Sequence, residues 1–218
     1  MDAASDVERE KHLAALAAAQ FVEEGMTVGL GTGSTVAHLL PALAERCLSL
    51  RCVATSPATE RAALELGLAV EEFGGRDALE IAIDGADQIA PDGWLVKGRG
   101  GAHTREKIVA AAAERFVVIV DSTKPVDKLE PPVPLELSPF GLRATLRRLG
   151  QVELRDAPPS PDGGVIADYL GDLDDPASLA SRLSAAPGVV EHGLFPPELV
   201  SEVLIGRGDE LERRSVGA

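Results

Sequence analysis

Cysteine is nearly missing from this chain of 218 residues: only Cys47 and Cys52 occur. They form no Cys-x-x-Cys pair and cannot build a disulfide framework, so the fold must rest on a buried apolar core. Aromatic residues are scarce as well, at 3%. Ala, Leu, Val and Gly dominate instead, the mixture of an α/β protein with thin strands and Ala-rich helices. Positive charge is short: 21 Lys and Arg stand against 35 Asp and Glu, a formal net charge of −14. Such a chain lacks the basic face that displaces counterions from nucleic acid, so general nucleic-acid binding is excluded. A small anionic ligand is not, because a few lysines can dominate one pocket. No apolar run is long enough to cross a bilayer. Asp2, Asp6, Glu8 and Glu10 at the start are the opposite of a basic signal-peptide region. The expectation is a soluble cytoplasmic protein with no membrane partner. The four histidines (His12, His38, His103 and His192) are scattered, none at metal-ligand spacing, so no metal site is expected.

The order of elements follows from periodicity and punctuation. Ser5-Asp6-Val7-Glu8 reads as a capping box, opening a helix that runs to Glu24 and stops at Gly25. Strands are expected at Thr27–Leu30, Arg51–Thr55, Ala69–Glu72, Leu79–Ile83 and Phe116–Val120, with a short extended piece at Trp94–Val96. Helices are expected at Thr35–Arg46, from Pro57 onward, and at Thr104–Ala113. This alternation implies a parallel sheet with helices on both faces. After Lys124 the prolines 125, 131, 132 and 134 break the rhythm. The pieces that follow are strand Val133–Leu137, helix Pro139–Leu149, strands Gln151–Leu154 and Val165–Asp168, helix Pro176–Ala186 and strand Val189–Glu191. Their order, β-α-β-β-α-β, is the split βαβ unit. Val203–Ile205 then rejoins the main sheet. The fold expectation is therefore α/β: an open, mostly parallel, Rossmann-like sheet covered by helices, carrying a small inserted α+β (ferredoxin-like) domain. Residues 1–128 and 195–218 form the α/β catalytic domain, and residues 129–194 the inserted one.

Three stretches carry chemistry. Gly29-Leu30-Gly31-Thr32-Gly33-Ser34-Thr35 joins a strand to a helix. Its glycines let the backbone turn and approach a ligand, and the helix N-terminus faces an anion. By itself this is equally a structural turn. A dinucleotide fingerprint would need a glycine where Ser34 stands and an acid near Thr55-Ser56; a nucleotide P-loop would need a lysine. Neither is present, which leaves a simple phosphate cradle. Ile83-Asp84-Gly85-Ala86-Asp87-Gln88 places two carboxylates at the end of an apolar strand, where open α/β sheets line their ligand crevice; a surface turn is the plainer alternative. Lys97-Gly98-Arg99-Gly100-Gly101-Ala102-His103-Thr104-Arg105-Glu106-Lys107 is a glycine loop leading into a helix. Thr104 is a candidate cap, and Glu106 in the first turn also suits the helix dipole. Lys97 has no comparable structural reason to stand where it does.

Together the three stretches resemble the ribose-5-phosphate isomerases of type A. The matching strings are Gly31-Thr32-Gly33-Ser34-Thr35, Asp84-Gly85-Ala86-Asp87, and Lys97-Gly98-x-Gly100-Gly101-Ala102-x-Thr104-Arg105-Glu106-Lys107. Asp121-Ser122-Thr123-Lys124, Lys11, Pro132-Val133-Pro134-Leu135-Glu136 and Pro187-Gly188-Val189-Val190 fit as well, so the resemblance covers nearly the whole chain. Gln88 stands where an acid is common, Arg99 replaces a frequent glycine, and His103 replaces an apolar residue. The resemblance implies an aldose–ketose isomerase that interconverts ribose 5-phosphate and ribulose 5-phosphate through an enediolate in the non-oxidative pentose phosphate pathway. It implies Glu106 as carbon base, Lys97 as stabiliser of the enediolate oxygen, Asp84 as acid–base group for hydroxyl protons, and Asp87 in support. Substrate and phosphate contacts carried over are Lys11, Gly31, Thr32, Gly33, Ser34, Thr35, Gly98, Gly100, Gly101 and Lys124. No cofactor or metal is implied, and a homodimer is. Two alternatives remain at this point: a non-catalytic sugar-phosphate sensor domain, and an amino-sugar phosphate deaminase-like enzyme.

Overall fold

A computed structural model describes residues 3–75 and 77–216. In chain order its elements are α1 (Ala3–Ala19), β1 (Thr27–Leu30), α2 (Ser34–Ala44), β2 (Arg51–Ala54), α3 (Pro57–Glu65), β3 (Leu79–Asp84), β4 (Gln88–Ile89), β5 (Leu95–Val96), α4 (His103–Ala112) and β6 (Ala113–Asp121). There follow β7 (Val133–Leu137), α5 (Leu142–Leu149), β8 (Val152–Leu154), β9 (Val165–Tyr169), α6 (Pro176–Ser184), β10 (Val189–His192), β11 (Leu194–Phe195), β12 (Glu202–Arg207) and β13 (Glu210–Ser215). The described residues divide into two compact units. One comprises the described part of Met1–Ala86, Arg105–Lys124 and the described part of Glu198–Ala218. The other comprises Asp87–Thr104 and Pro125–Pro197.

The first unit is built on a six-stranded sheet in the order β13-β12-β6-β3-β1-β2. All its pairings are parallel except the β12–β13 hairpin. Alternation along the strands sorts the two faces. Val28 and Leu30 of β1 join Ile81 and Ile83 of β3 in a core with Ala14, Ala15 and Ala18 of α1 and Leu39 and Leu43 of α2. Gly29 and its register partner Ala82 face the other way, toward α4. A Cβ at Gly29 would come within 2.4 Å of Val109 Cγ1, so glycine is what lets that helix lie close to the strand. Helices thus cover both faces, as the fold class expected.

Several local expectations need correction. Ser5 does not cap α1, which already runs from Ala3; Glu8 instead accepts from Lys11 Nζ at 2.6 Å and contacts His38 Nε2 at 2.9 Å. The helix ends at Ala19 rather than Glu24. Ala69–Glu72 is not a strand: Val70 makes one isolated bridge to Cys52, at the outer edge beyond β2, and among the described residues no further strand continues the ladder there. Thr104 does not cap α4; its hydroxyl donates to Glu136. The edge strand β13 was missed because Glu-Leu-Glu-Arg-Arg-Ser shows no apolar alternation, and β12 supplies its register. Where local signals were strong they held: Ser56 caps α3 by accepting from the Thr59 amide at 3.2 Å, with Pro57 in the first turn.

The second unit contains a four-stranded antiparallel sheet in the order β10-β7-β9-β8 with α5 and α6. Val133, Leu135 and Leu137 alternate toward Leu179 and Leu183 of α6, together with Ala167 and Tyr169. The intervening positions Pro134, Glu136, Ile166 and Asp168 occupy the opposite face, as their register requires. A three-stranded sheet, β11-β5-β4, completes this unit. Its strands have two residues each, too short to leave a periodic signal. Among the described residues no helix is long and apolar enough to cross a membrane.

Candidate active site

In the first unit, four loops share one edge of the sheet because neighbouring parallel strands end there together. β6 ends at Asp121, β3 at Asp84, β1 at Leu30 and β2 at Ala54. Leu30 lies opposite Ile83, and Asp84 opposite Val118. The glycine turn after β1 is thereby set against Asp84. Gly31 donates its amide to Ile83 O at 3.0 Å, and Thr32 donates its amide to Asp84 Oδ1 at 3.1 Å. Gly85 donates to the same oxygen at 2.7 Å. Asp84 is only 3% exposed. A Cβ on Gly31 would stand 1.9 Å from Asp84 Cγ, so this approach tolerates no side chain at all.

These bonds revise the phosphate cradle. The Gly31 and Thr32 amides are committed to β3. The Thr32 hydroxyl lies 2.9 Å from that of Thr55 and 3.3 Å from that of Thr59, and the Thr59 hydroxyl donates to Gly31 O at 2.9 Å. Thr32 is therefore a structural pin of the turn. The amides left to meet an anion begin at the start of α2, where Gly33 at φ +135° offers no side chain to cap them. Ser34 is exposed there and Thr35 buried. Thr55 and Thr59 were missed from sequence, since nothing local couples them to Thr32.

Glu106 falls in the first turn of α4 and is 4% exposed. A carboxylate at a helix N-terminus gains from the dipole, but burial to this degree is unusual for one that serves only the helix. Lys124 follows β6, where Asp121 fastens the turn by accepting from the amide and hydroxyl of Thr123. The Lys124 amide donates to Asp121 O at 3.3 Å. Buried Glu10 of α1 braces the same turn, accepting from the Ser122 amide at 3.0 Å and the Gly208 amide at 2.7 Å. Burial pushes the Glu10 carboxyl up, yet those amides outweigh it and hold the group below the ordinary carboxylate value. Lys11, expected near a phosphate, is paired with Glu8.

In the second unit, Lys97 is 3% exposed. Its amide donates to Gly193 O at 2.8 Å, and its Nζ lies 5.3 Å from the centre of the Phe195 ring. Gly98 follows at φ +109°, and a Cβ there would press within 2.9 Å of three side-chain atoms of the buried His103, two of them in its ring. The unexpected histidine is thus packed against the glycine that turns the chain after Lys97. Asp87 accepts from the Arg99 amide at 3.0 Å, so it braces the glycine loop. Gly101, also at positive φ, donates to Gly98 O at 3.0 Å and packs near Ile166. Gly100 lies exposed in the same turn. Among the described residues no three His, Cys, Asp or Glu side chains are grouped to hold a metal ion.

The first unit holds two buried carboxylates, Asp84 and Glu106, and an anion-receptive helix start, and the second unit a buried lysine, Lys97; these are group types that proton-transfer enzymes use. Comparison with known proteins gives the same direction. The family model described as ribose 5-phosphate isomerase A (phosphoriboisomerase A) matches residues 51–210. The chain is 42% identical to the ribose-5-phosphate isomerase A of Gluconobacter oxydans, over 95% of this chain and 97% of that protein. The ribose 5-phosphate isomerase A structure from Neisseria gonorrhoeae superposes with a TM-score of 0.91 at 31% identity, covering 95% of this chain and 96% of that one. A D-ribose-5-phosphate isomerase solved in complex with phospho-erythronic acid superposes at 0.90 with 35% identity, covering 96% and 99%. Matched by the family model over most of its length and by relatives over nearly all of it, this chain belongs to the ribose 5-phosphate isomerase A family.

Proposed function

We propose that the protein interconverts ribose 5-phosphate and ribulose 5-phosphate by proton transfer through an enediolate. The observation that supports this most is Asp84: a buried carboxylate at a strand end, held by two amides, with a glycine opposite it that leaves no room for a side chain. In this reading Glu106 removes the proton from carbon-2 of the open-chain aldose and returns it to carbon-1. Lys97 stabilises the charge that develops on the carbonyl oxygen. Asp84 exchanges the hydroxyl protons and assists ring opening, while Asp87 holds the loop that follows Lys97. Lys11, Lys124 and the α2 start with Ser34 and Thr35 receive the phosphate. In this reading residues 1–128 and 195–218 make up the catalytic domain and residues 129–194 the inserted one, although Asp87–Thr104, Pro125–Lys128 and Phe195–Pro197 belong to the second compact unit. The protein works as a cytoplasmic homodimer in the pentose phosphate pathway.

The reading is tested by giving the purified protein ribose 5-phosphate in buffer stripped of divalent ions. Ketose should form at full rate, because no proposed step draws on a metal. Activity that disappears on chelation and returns with a divalent ion would make Asp84 and Asp87 metal ligands instead. Binding without turnover would favour a sensor, and ammonia release from an amino-sugar phosphate a deaminase.

Lys124 gives a second prediction. A charge-assisted hydrogen bond to phosphate is worth about 1.5–3 kcal/mol. Lys124→Ala should therefore raise the Michaelis constant for ribose 5-phosphate by about tenfold to a hundredfold, and leave the slow reaction of unphosphorylated ribose unchanged. Equal losses with both sugars would remove Lys124 from the phosphate site.

A further inference from the structure

The guanidinium of Arg155 joins two things that sequence never linked. Arg155 follows β8. Its Nε donates to Asp168 Oδ2 at 3.0 Å and its Nη2 to Asp168 Oδ1 at 2.5 Å, a bidentate pair. Its Nη1 donates to two consecutive carbonyls, Gly98 O at 3.2 Å and Arg99 O at 2.9 Å. Asp168 lies on the face of the β7–β9 ladder that also carries Pro134, Glu136 and Ile166. Residues of that face, and Arg155 held by it, meet Gly98, Arg99, Gly101 and Thr104 in the segment after Lys97. Gly101 packs near Ile166, and Thr104 donates to the buried Glu136, whose other oxygen accepts from Ser160 at 2.6 Å.

We propose that Arg155, oriented by Asp168, is a positioning residue for the isomerisation: it fixes the backbone directly after Lys97 and so sets where that ammonium stands. The inference rests on the isomerase reading for its consequence, but not for its geometry. The Arg99 side chain is 82% exposed, and its ion pair with Asp87 at 3.6 Å is a solvent-screened one that adds little to the hold of the Arg99 amide on the same carboxylate. Gly98 sits at a backbone angle that only glycine adopts readily, so the loop depends on external bonds to stay there. A guanidinium presents its donors in a fixed planar fork, which can serve a carboxylate on one side and two carbonyls on the other. A lysine ammonium in the same place cannot span both. Misplacing a catalytic group by about 1 Å can cost about a hundredfold in rate.

The test uses Arg155→Lys, Arg155→Ala and Asp168→Asn in the full chain, with melting curves to establish folding. Arg155→Lys should lower kcat by about tenfold to a hundredfold and shift KM much less, since no phosphate contact is touched. Asp168→Asn should give a smaller loss in the same direction. Methylguanidinium at millimolar concentration should restore part of kcat to Arg155→Ala and none to Glu106→Gln. Independently of activity, amide hydrogen exchange across Gly98–Gly101 should quicken in Arg155→Lys while the β1 and β6 amides keep their rates. Unchanged exchange in that loop overturns the inference, as does wild-type kcat in folded Arg155→Lys. A wild-type protein inactive toward ribose 5-phosphate would instead fail the isomerase reading, and the exchange result would still decide whether Arg155 holds the loop.

Discussion

Glu106→Gln is expected to slow the conversion of ribose 5-phosphate at least about a hundredfold, with the melting temperature nearly unchanged. The amide keeps the size and polarity of the carboxylate and fits the same buried place in the first turn of α4. It cannot accept a proton from carbon. A hundredfold corresponds to about 2.7 kcal/mol of lost transition-state stabilisation, well within what a positioned base contributes. The loss should fall on kcat, since in the proposed reading the group acts on the reacting carbon and not on the phosphate. Exchange of the carbon-bound proton with deuterated solvent should fall in parallel. Near-normal turnover in this variant would show that another group takes the proton, and Glu106 would return to its plainer reading as a helix-dipole partner.

Gly31→Ala should be nearly as damaging, through geometry and not through lost chemistry. The added methyl would overlap Asp84, standing 1.9 Å from its Cγ and 2.0 Å from its Oδ1. Either the turn or the carboxylate must move. Moving the turn breaks the bonds of the Gly31 and Thr32 amides to β3. Moving Asp84 displaces the group proposed to handle hydroxyl protons. Overpacking of this kind costs about 1–3 kcal/mol of stability, and a shifted catalytic carboxylate costs about a hundredfold or more in rate. Gly74→Ala is the matched control: a Cβ there meets nothing within 4 Å, and its backbone angle is not of the glycine-favouring kind. Both variants need kcat and melting temperature measured side by side. Wild-type kcat in Gly31→Ala would mean that Asp84 tolerates displacement and plays no part in the reaction.

The sequence by itself determined the elements whose signal is local. β1 and β7 came out with their observed bounds, and Ser56-Pro57 marked the start of α3, because a strand face or a cap is written in a few adjacent residues. The β-α-β-β-α-β order after Lys124 was legible for the same reason. So were the strings holding Asp84, Lys97 and Glu106, where glycines and charged residues interrupt apolar runs. Local signals were also what misled: Ser5-x-x-Glu8 has the composition of a capping box, yet the helix had already begun at Ala3 and Glu8 was drawn to Lys11 and His38.

Tertiary structure decided which residues meet. Arg155 lies 57 positions from Gly98 and Glu136 lies 32 from Thr104, so no motif links them. Their bonds exist because the β7–β9 register turns Glu136, Ile166 and Asp168 to one face. Thr32 likewise offered a hydroxyl to an anion until parallel pairing of β1 with β2 set it against Thr55, and pairing with β3 committed its amide to Asp84. Short-range propensity fixes what a segment becomes. Sheet register and the close approach of backbones, which depend on residues far apart in the chain, fix what its side chains and amides are then able to do.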